Sequence, residues 1–138
     1  MILLDTNVVS EPLRQAPDAR VIEWIDAQPL ETLFLSAITV AELRAGVALL
    51  PAGKRQAGLQ ENLEKRVLPL FVGRVLPFDL VCTKGYAELM AKARVSGLAV
   101  ATADGYIAAT AFANGFAVAS RDVGPFEAAG VAVINPWR

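Results

Sequence analysis

The stretch Met1-Ile2-Leu3-Leu4-Asp5-Thr6-Asn7 decides the fold, because it places an acid directly after a short apolar run. That run is too short for a helix and too continuous for a strand with one exposed face. It therefore predicts a strand buried on both faces of a parallel sheet. Asp5 then falls at the carboxyl end of the strand, where open parallel sheets bind ligands. A charge at the rim of a buried sheet must be paired, hydrated or bound to a metal.

The composition fits one domain and excludes several kinds of chemistry. A chain of 138 residues can cover a sheet with helices on both sides, which predicts a single domain over residues 1–138. The chain has no histidine, which excludes Ser-His and Cys-His catalysis and imidazole acid–base chemistry. Cys82 is the only cysteine, so no internal disulfide or thiolate zinc site is expected, and its apolar neighbours predict an inert, buried thiol. The chemistry must therefore use carboxylates, hydroxyls, Lys, Arg or a hard metal ion.

Charge and hydropathy limit the partners. The net charge of -1 gives no global sign of nucleic-acid binding and leaves only a local basic surface open. The mean hydropathy of +0.43 indicates a generous core, an apolar face covered by a partner, or both. We find neither a long apolar run nor a basic region followed by an apolar segment at the start, so we expect no membrane span, no signal peptide and a cytoplasmic protein.

Strands and helices are predicted to alternate along the chain. After strand 1 we expect a short polar connection bracketed by Pro12 and Pro17. Further strands are predicted at 33–36, 75–77, 116–120 and 131–134, and helices over 19–28, from 37, over 54–68, 79–94 and 102–114. This alternation predicts a three-layer α/β/α sandwich on a mostly parallel central sheet.

Four acids follow predicted strands or begin predicted helices: Asp5, Glu42, Asp104 and Asp122. These positions belong to one edge of a parallel sheet, so we expect the carboxylates to converge. Crowded carboxylates repel one another unless protons or cations neutralise them. Without histidine or cysteine ligands, a hard ion with oxygen ligands is favoured, Mg²⁺ or Mn²⁺ before Ca²⁺. Such a site can activate water for phosphodiester hydrolysis.

Each acid alone also has a structural explanation. Thr39 and Glu42 have the spacing of a capping box, and Asp104 has the position of an N-cap or a first-turn acid. Asp122 suits a polar turn, and Asp5 could cap the helix that follows it. A phosphatase with an Asp-x-Asp nucleophile motif would need an acid where Asn7 stands, which weakens covalent phosphoryl transfer.

With these residues in place, the chain resembles the PIN domain, the metal-dependent ribonuclease fold of VapC-type toxins, and most of all its FitB-like members. The resemblance covers essentially the whole chain. It rests on Leu-Leu-Asp-Thr-Asn-Val-Val-Ser-Glu at 3–11, Leu-Ser-Ala-Ile-Thr-Val-Ala-Glu-Leu at 35–43, Ala-Asp-Gly-Tyr-Ile-Ala-Ala-Thr-Ala at 103–111, Ser-Arg-Asp at 120–122 and Asn-Pro-Trp at 135–137.

The resemblance implies a hydrolase that cleaves RNA with Mg²⁺ or Mn²⁺ held by the four acids. Many family members have Asn where Asp122 stands, which makes this ligand a departure from the pattern. Thr6, Asn7 and Ser120 are expected to orient ligands or water. Arg44, Arg121 and the basic residues of 54–66 are candidates for RNA phosphate contacts, against the alternative of solvated surface charge.

The resemblance also implies partners. Such toxins form homodimers and bind an antitoxin, here of the ribbon-helix-helix type, whose tail covers the acidic groove and whose other end binds operator DNA. The apolar positions Leu59, Leu63 and Val67, or Val21, Trp24 and Ile25, could serve such an interface or the core. Two other functions stay open: a phosphoesterase of small molecules, and a non-catalytic co-repressor component whose acidic pocket mainly docks the antitoxin.

Overall fold

Five parallel strands form the central sheet of the computed structural model, which describes residues 1–138. They are β1 (Ile2–Leu4), β2 (Leu33–Ser36), β3 (Val75–Leu76), β4 (Ala117–Ala119) and β5 (Val133–Ile134). Their order across the sheet is β3-β2-β1-β4-β5, and every neighbouring pair is parallel. In register, Leu3 pairs with Phe34 on one side and with Val118 on the other, so the first strand lies at the centre as its sequence predicts.

The strand order places a crevice at the end of β1. From β1 the chain moves outward through β2 to β3, then returns to the other side of β1 and continues through β4 to β5. The direction of travel therefore reverses between β1 and β4, and connections leaving these two strands diverge. Asp5 follows β1 and Ser120 follows β4, so both lie at this reversal point.

Helices cover both faces of the sheet. They are α1 (Thr6–Ser10), α2 (Ala19–Ala27), α3 (Ala37–Ala48), α4 (Lys54–Asn62), α5 (Leu80–Ser96), α6 (Thr102–Asn114) and α7 (Val123–Ala128). Consecutive strand residues point to opposite faces. Leu4 accordingly packs with residues of α1 to α3, whereas Leu3 packs with residues of α5 to α7. The predicted three-layer α/β/α sandwich is confirmed.

Acidic N-caps and C-terminal glycines set several helix ends. The carboxylates of Asp18 and Asp79 accept hydrogen bonds from backbone N–H groups of the first turns of α2 and α5. Gly97 and Gly115 end α5 and α6 in the left-handed conformation, with φ of 70° and 68°. Cys82 is buried, as predicted, and burial raises the pKa of its thiol.

Three connections differ from the prediction. Residues 6–13, for which no element was predicted, form α1 and a 3-10 turn at Glu11–Leu13, and the polar connection is limited to residues 14–18. The helix predicted over 54–68 stays α-helical only to Asn62, widens into a π-helical turn at Leu63–Val67, and tightens into a 3-10 turn at Leu68–Phe71, where Pro69 lacks the N–H that a longer helix needs. Residues Val123–Ala128, for which no helix was predicted, form α7. None of the helices is long and apolar enough to span a membrane.

Candidate active site

Asp5 is the buried centre of the candidate site, with only 2% of its surface exposed. Its Oδ2 accepts a hydrogen bond of 2.6 Å from the Ser120 hydroxyl, and its Oδ1 accepts one of 2.8 Å from the backbone N–H of Thr6. The second bond caps α1, so the capping explanation for Asp5 is correct as well. Burial raises the pKa of Asp5 to about 6, although both hydrogen bonds lower it, and the charges of Asp104 and Glu42 add to the rise.

Glu42 lies on α3 and is held from across the site by Thr6. The Thr6 hydroxyl donates a 2.6 Å hydrogen bond to Glu42 Oε1 and also lies 3.2 Å from the Thr39 hydroxyl. The cap of α3 is Ser36, whose Oγ accepts from the N–H of Ile38. The capping-box explanation for Thr39 and Glu42 is therefore wrong, because α3 begins at Ala37, three residues earlier than a box at Thr39 requires, and Ser36 is its N-cap.

Asp104 lies in the first turn of α6, where its charge is favoured by the helix dipole. The N-cap is Ala101, so Asp104 is a first-turn acid and not the cap. Burial raises the pKa of Asp104, with further contributions from the charges of Asp122 and Glu42, and no hydrogen bond lowers it again. This carboxylate therefore lacks the donors that hold Asp5.

Asp122 reaches the site through Ser120 and Asn7. The Asp122 N–H donates a 2.9 Å hydrogen bond to Ser120 Oγ, and Asn7 Nδ2 lies 3.5 Å from Asp122 Oδ2. Asn7 Oδ1 in turn accepts a long bond of 3.4 Å from the Arg121 N–H. Asp122 stands at the N-cap of α7, but its side chain makes no capping bond. The carboxylate is thus directed by Asn7 rather than by α7.

The four acids share one electrostatic field at the carboxyl edge of the sheet. Asp104 and Glu42 act on Asp5, and Asp122 and Glu42 act on Asp104. The convergence that the sequence predicts is incomplete, because no three acidic side chains form a group that could hold a metal ion in this structure. Hydroxyl and amide groups stand between them: Thr6 at Glu42, and Ser120 and Asn7 at Asp122. All four candidate donors are carboxylate oxygens, which suits Mg²⁺ or Mn²⁺.

The two candidate RNA-binding arginines lie in different surroundings. Arg121 lines a groove of about 790 Å³ together with Asp104 and Asp122. Arg44 forms a 2.7 Å ion pair with Glu64 and lines a separate cavity of about 390 Å³ between α3 and the α4 segment. The structure therefore brings Arg121 beside the acids, whereas Arg44 is engaged elsewhere.

Two contacts around the site could not be predicted from the sequence. Thr39 belongs to the hydroxyl pair that holds Glu42, and Trp137 lies beneath Arg121, with the guanidinium 5.3 Å from the ring centroid. Asn135-Pro136-Trp137 stood out in the sequence, but no spacing rule linked it to Arg121. Of the apolar positions considered for an interface, Leu63 and Val21 are buried in the core, and Trp24, Ile25 and Val67 pack against it.

Comparison with known proteins decides the family. A model of the PIN domain matches residues 2–131 of the chain. The chain belongs to the PIN domain family. This PIN domain is 71% identical over 137 residues to the plasmid stability protein StbB of Pseudomonas syringae pv. tomato, a match that covers 99% of both chains.

Other relatives carry more specific names. The VapC ribonuclease Y4jK of Sinorhizobium fredii is 62% identical to this PIN domain and Toxin FitB of Neisseria gonorrhoeae is 58% identical, each over 137 residues; the matches cover 99% of this chain and 98% and 99% of theirs. The structure superimposes on that of FitAcB from Neisseria gonorrhoeae with a TM-score of 0.95 at 57% identity, covering 100% of this chain and 99% of the other. A structure of FitAB bound to a DNA fragment gives the same TM-score, 0.95, at 56% identity and covers 100% of this chain and 96% of the other.

Proposed function

We propose that this PIN domain is the toxin of a type II toxin–antitoxin pair and that it hydrolyses RNA phosphodiester bonds with Mg²⁺ or Mn²⁺. The observation that carries the proposal is Asp5, a buried carboxylate at the reversal point of the sheet, whose pKa of about 6 reflects burial and the charges of its acidic neighbours. A buried charge of this kind is costly unless a cation or a proton compensates it. The names of the VapC and FitB relatives support the toxin and ribonuclease assignment.

The proposed metal ligands are Asp5, Glu42, Asp104 and Asp122. The chemistry supplied by a divalent ion bound there is the activation of a water molecule and the stabilisation of charge on the phosphate. Ser120 and the Thr6 N–H fix both oxygens of Asp5, and the Thr6 hydroxyl fixes Glu42. Asp104 stays free of hydrogen bonds, so its carboxylate can adjust to a ligand. With no histidine in the chain, no imidazole acts as base.

The shape of the groove favours RNA over a small phosphate ester. Asp104, Asp122 and Arg121 line a groove of about 790 Å³, and its other walls are formed by smaller residues such as Ala99, Ala101 and Gly124. Small-molecule sites enclose most of the ligand surface with apolar side chains and a few polar groups, and this groove offers no such enclosure. We therefore propose a polymer substrate that crosses the acids.

The proposed partners follow from the family. FitAB bound to DNA supports an antitoxin that couples this chain to operator DNA, and we propose a ribbon-helix-helix antitoxin, a homodimer of the toxin and action on RNA in the cytoplasm. The same observation favours a second function, that of a co-repressor component, in which the acidic groove docks the antitoxin. For either function, we propose that residues 1–138 act as a single PIN domain.

The decisive experiment compares site variants with a matched acid elsewhere. Protein freed of antitoxin is incubated with total RNA in Mn²⁺ or in chelator, as wild type, Asp5→Asn, Asp104→Asn and Asp26→Asn, the last removing an exposed carboxylate from the final turn of α2. We expect cleavage by the wild type and Asp26→Asn in Mn²⁺ and a loss of at least about 100-fold in the site variants, since removing a single catalytic group typically has effects of this size.

Two results would contradict the proposal. Cleavage that persists in chelator, or in both site variants, would identify a contaminating nuclease. Binding of Mn²⁺ to the folded state should also raise the melting temperature of the wild type and of Asp26→Asn. An absence of any such shift at millimolar Mn²⁺ would argue against a shared metal site.

A further inference from the structure

Arg121 is held in place by the carboxyl-terminal tail of the chain. Its guanidinium lies 5.3 Å from the centroid of the Trp137 ring, within the range of a cation–π contact. Trp137 is only 7% exposed and packs in the same core cluster as Leu4 and Val8. The Asn135 side chain accepts a 2.9 Å hydrogen bond from the Trp137 N–H and fixes the turn that delivers the ring. The aromatic surface beneath Arg121 is therefore rigid.

The charge of Arg121 is not used by an ion pair. Three other arginines, Arg14, Arg20 and Arg44, each form an ion pair with a carboxylate at 2.9 Å or less. Arg121 forms no ion pair, even though Asp122 follows it directly and Asp104 lines the same groove. Among the groups that lower the pKa of Asp18, Arg20 contributes most, through its hydrogen bonds, and the charge of Arg121 contributes least. The guanidinium is thus free to bind an anion.

The guanidinium group suits a phosphate. An arginine carries five N–H donors in a planar fork, and none of those of Arg121 is taken up by a carboxylate. Two such donors can bind two phosphate oxygens at once. Exposed and on the wall of the groove, Arg121 presents these donors beside the acids.

Arg121 shares the groove with two of the four acids. Asp104 and Asp122 line the groove with it, whereas Asp5 and Glu42 are not among the lining residues. A phosphate bound by Arg121 is therefore displaced from Asp5 and Glu42. The acids repel an approaching polyanion, and an unpaired cation at their side provides the opposing attraction.

We propose that Arg121, supported by Trp137, binds an RNA phosphate that flanks the one cleaved and so sets the path of the strand across the acids. This assignment rests on the proposed ribonuclease function. It gives Asn135-Pro136-Trp137 a role in substrate positioning, because the tail supplies the surface on which the guanidinium lies.

The test measures cleavage of a short single-stranded RNA by wild type, Arg121→Ala, Arg121→Lys and Lys84→Ala over a range of KCl at constant Mn²⁺. Lys84 is the matched control, because it is an exposed cation away from the acids. It lines a cavity together with Ala113, which lies nine residues after Asp104 on α6. For Arg121→Ala we expect KM to rise about 5- to 20-fold with kcat changed less than about threefold, because the bond is made equally in the ground and transition states. The slope of log(kcat/KM) against log[KCl] should become shallower by about 0.7, the value for one phosphate contact on a single strand.

The other variants complete the test. Arg121→Lys should keep the wild-type salt slope, because it keeps the charge. Its KM should lie between those of the wild type and Arg121→Ala, because lysine lacks the planar fork of arginine. Lys84→Ala should match the wild type in both parameters. The rise in melting temperature with Mn²⁺ should be the same in all four proteins, which separates this inference from the metal site.

Two outcomes would overturn the assignment, and they are distinguishable. If the wild type cleaves RNA and Arg121→Ala equals Lys84→Ala in KM and salt slope, Arg121 binds no substrate phosphate and only this inference fails. If the wild type shows neither cleavage nor a melting shift with Mn²⁺, the proposed function fails and the assignment falls with it.

Discussion

Ser120 donates its hydroxyl proton to Asp5 across 2.6 Å in a fully buried hydrogen bond that joins the ends of β4 and β1. The two residues are separated by 115 positions in sequence, so only the parallel pairing of the strands brings them together. The same hydroxyl oxygen accepts from the Asp122 N–H at 2.9 Å. Ser120 therefore couples the position of Asp5 to that of Asp122.

Replacing Ser120 by Ala should raise the pKa of Asp5 further, because the lost hydrogen bond stabilises the ionised form. Since a hydrogen bond to a charged group contributes about 1.5–3 kcal/mol, we expect the acidic limb of the activity–pH profile to move up by about one unit or more. Thr110→Val is the matched control, since it removes a buried hydroxyl that donates a 2.8 Å hydrogen bond to the Tyr106 carbonyl. An acidic limb that moves equally in both variants would contradict this role for Ser120.

Asp5 should make the metal-free protein less stable as the pH rises. Its pKa is about 6 in the folded state and 3.8 in the reference state, so between these values the folded chain binds more protons than the unfolded one. The free energy of unfolding therefore falls across this window, by about 3 kcal/mol for this shift. The raised pKa of Asp104 acts in the same direction.

Urea unfolding in chelator at pH 4.5 and pH 7.5 measures this effect. Asp5→Asn removes the titrating group, so its free energy of unfolding should fall much less between pH 4.5 and pH 7.5. This variant should also be more stable than the wild type at pH 7.5. Asp26→Asn, at an exposed position, should keep the wild-type dependence. Equal pH dependence in wild type and Asp5→Asn would show that Asp5 is not the destabilising charge.

Much of this arrangement could be predicted from sequence, because the apolar runs of β1 and β2 and the acids after them follow simple periodicity. A buried strand followed by an acid has few alternatives in a parallel sheet. The short helix α1 could not be predicted in the same way. Its five residues are too few to display a helical period, and Val8 and Val9 are β-branched.

Contacts between distant segments were the other limit. The hydroxyl of Thr6 lies at Glu42, 36 residues away, and this contact depends on how α1 and α3 pack. The same holds for Trp137 under Arg121, a contact that depends on the course of the chain after β5. Local patterns placed Thr6, Glu42 and Arg121 near the site but carried no information on their partners.

Thr6→Val should lower kcat with little loss of stability. Valine keeps the shape of threonine but removes the hydroxyl that donates to Glu42 at 2.6 Å. Glu42 is exposed, so water replaces the lost donor and the cost appears as disorder of the carboxylate rather than unfolding. We expect a fall in kcat of about tenfold or more, consistent with the loss of a positioning contact.

Two further variants separate positioning from packing at Thr6. Thr6→Ser keeps the hydroxyl and should retain most of the activity. Thr83→Val removes a hydroxyl that donates a 2.6 Å hydrogen bond to the Leu80 carbonyl at the start of α5. This variant should leave kcat unchanged. Wild-type kcat in Thr6→Val would mean that Glu42 needs no support from Thr6.

Gly105→Ala should separate α5 from α6 beside Asp104. A Cβ at this position would lie 2.7 Å from Met90 Cε and 2.9 Å from Tyr86 Cε2. Met90 ends in a flexible thioether and can move, but the Tyr86 ring packs against Tyr106 with centroids 4.7 Å apart. The strain should therefore outweigh the gain of about 1 kcal/mol in helix propensity, for a net loss of about 1–2 kcal/mol.

Because Asp104 is the neighbour of Gly105 in the first turn of α6, the displacement should also lower cleavage activity. Gly58→Ala is the matched control, since Gly58 is likewise inside a helix, α4, but has open space around its Cα. It should raise stability by about 0.5–1 kcal/mol and leave activity unchanged. Urea unfolding and initial cleavage rates, measured on both variants, test the pair of expectations. Stabilisation by Gly105→Ala as large as that by Gly58→Ala would mean that the contact between α5 and α6 can open without cost and does not position Asp104.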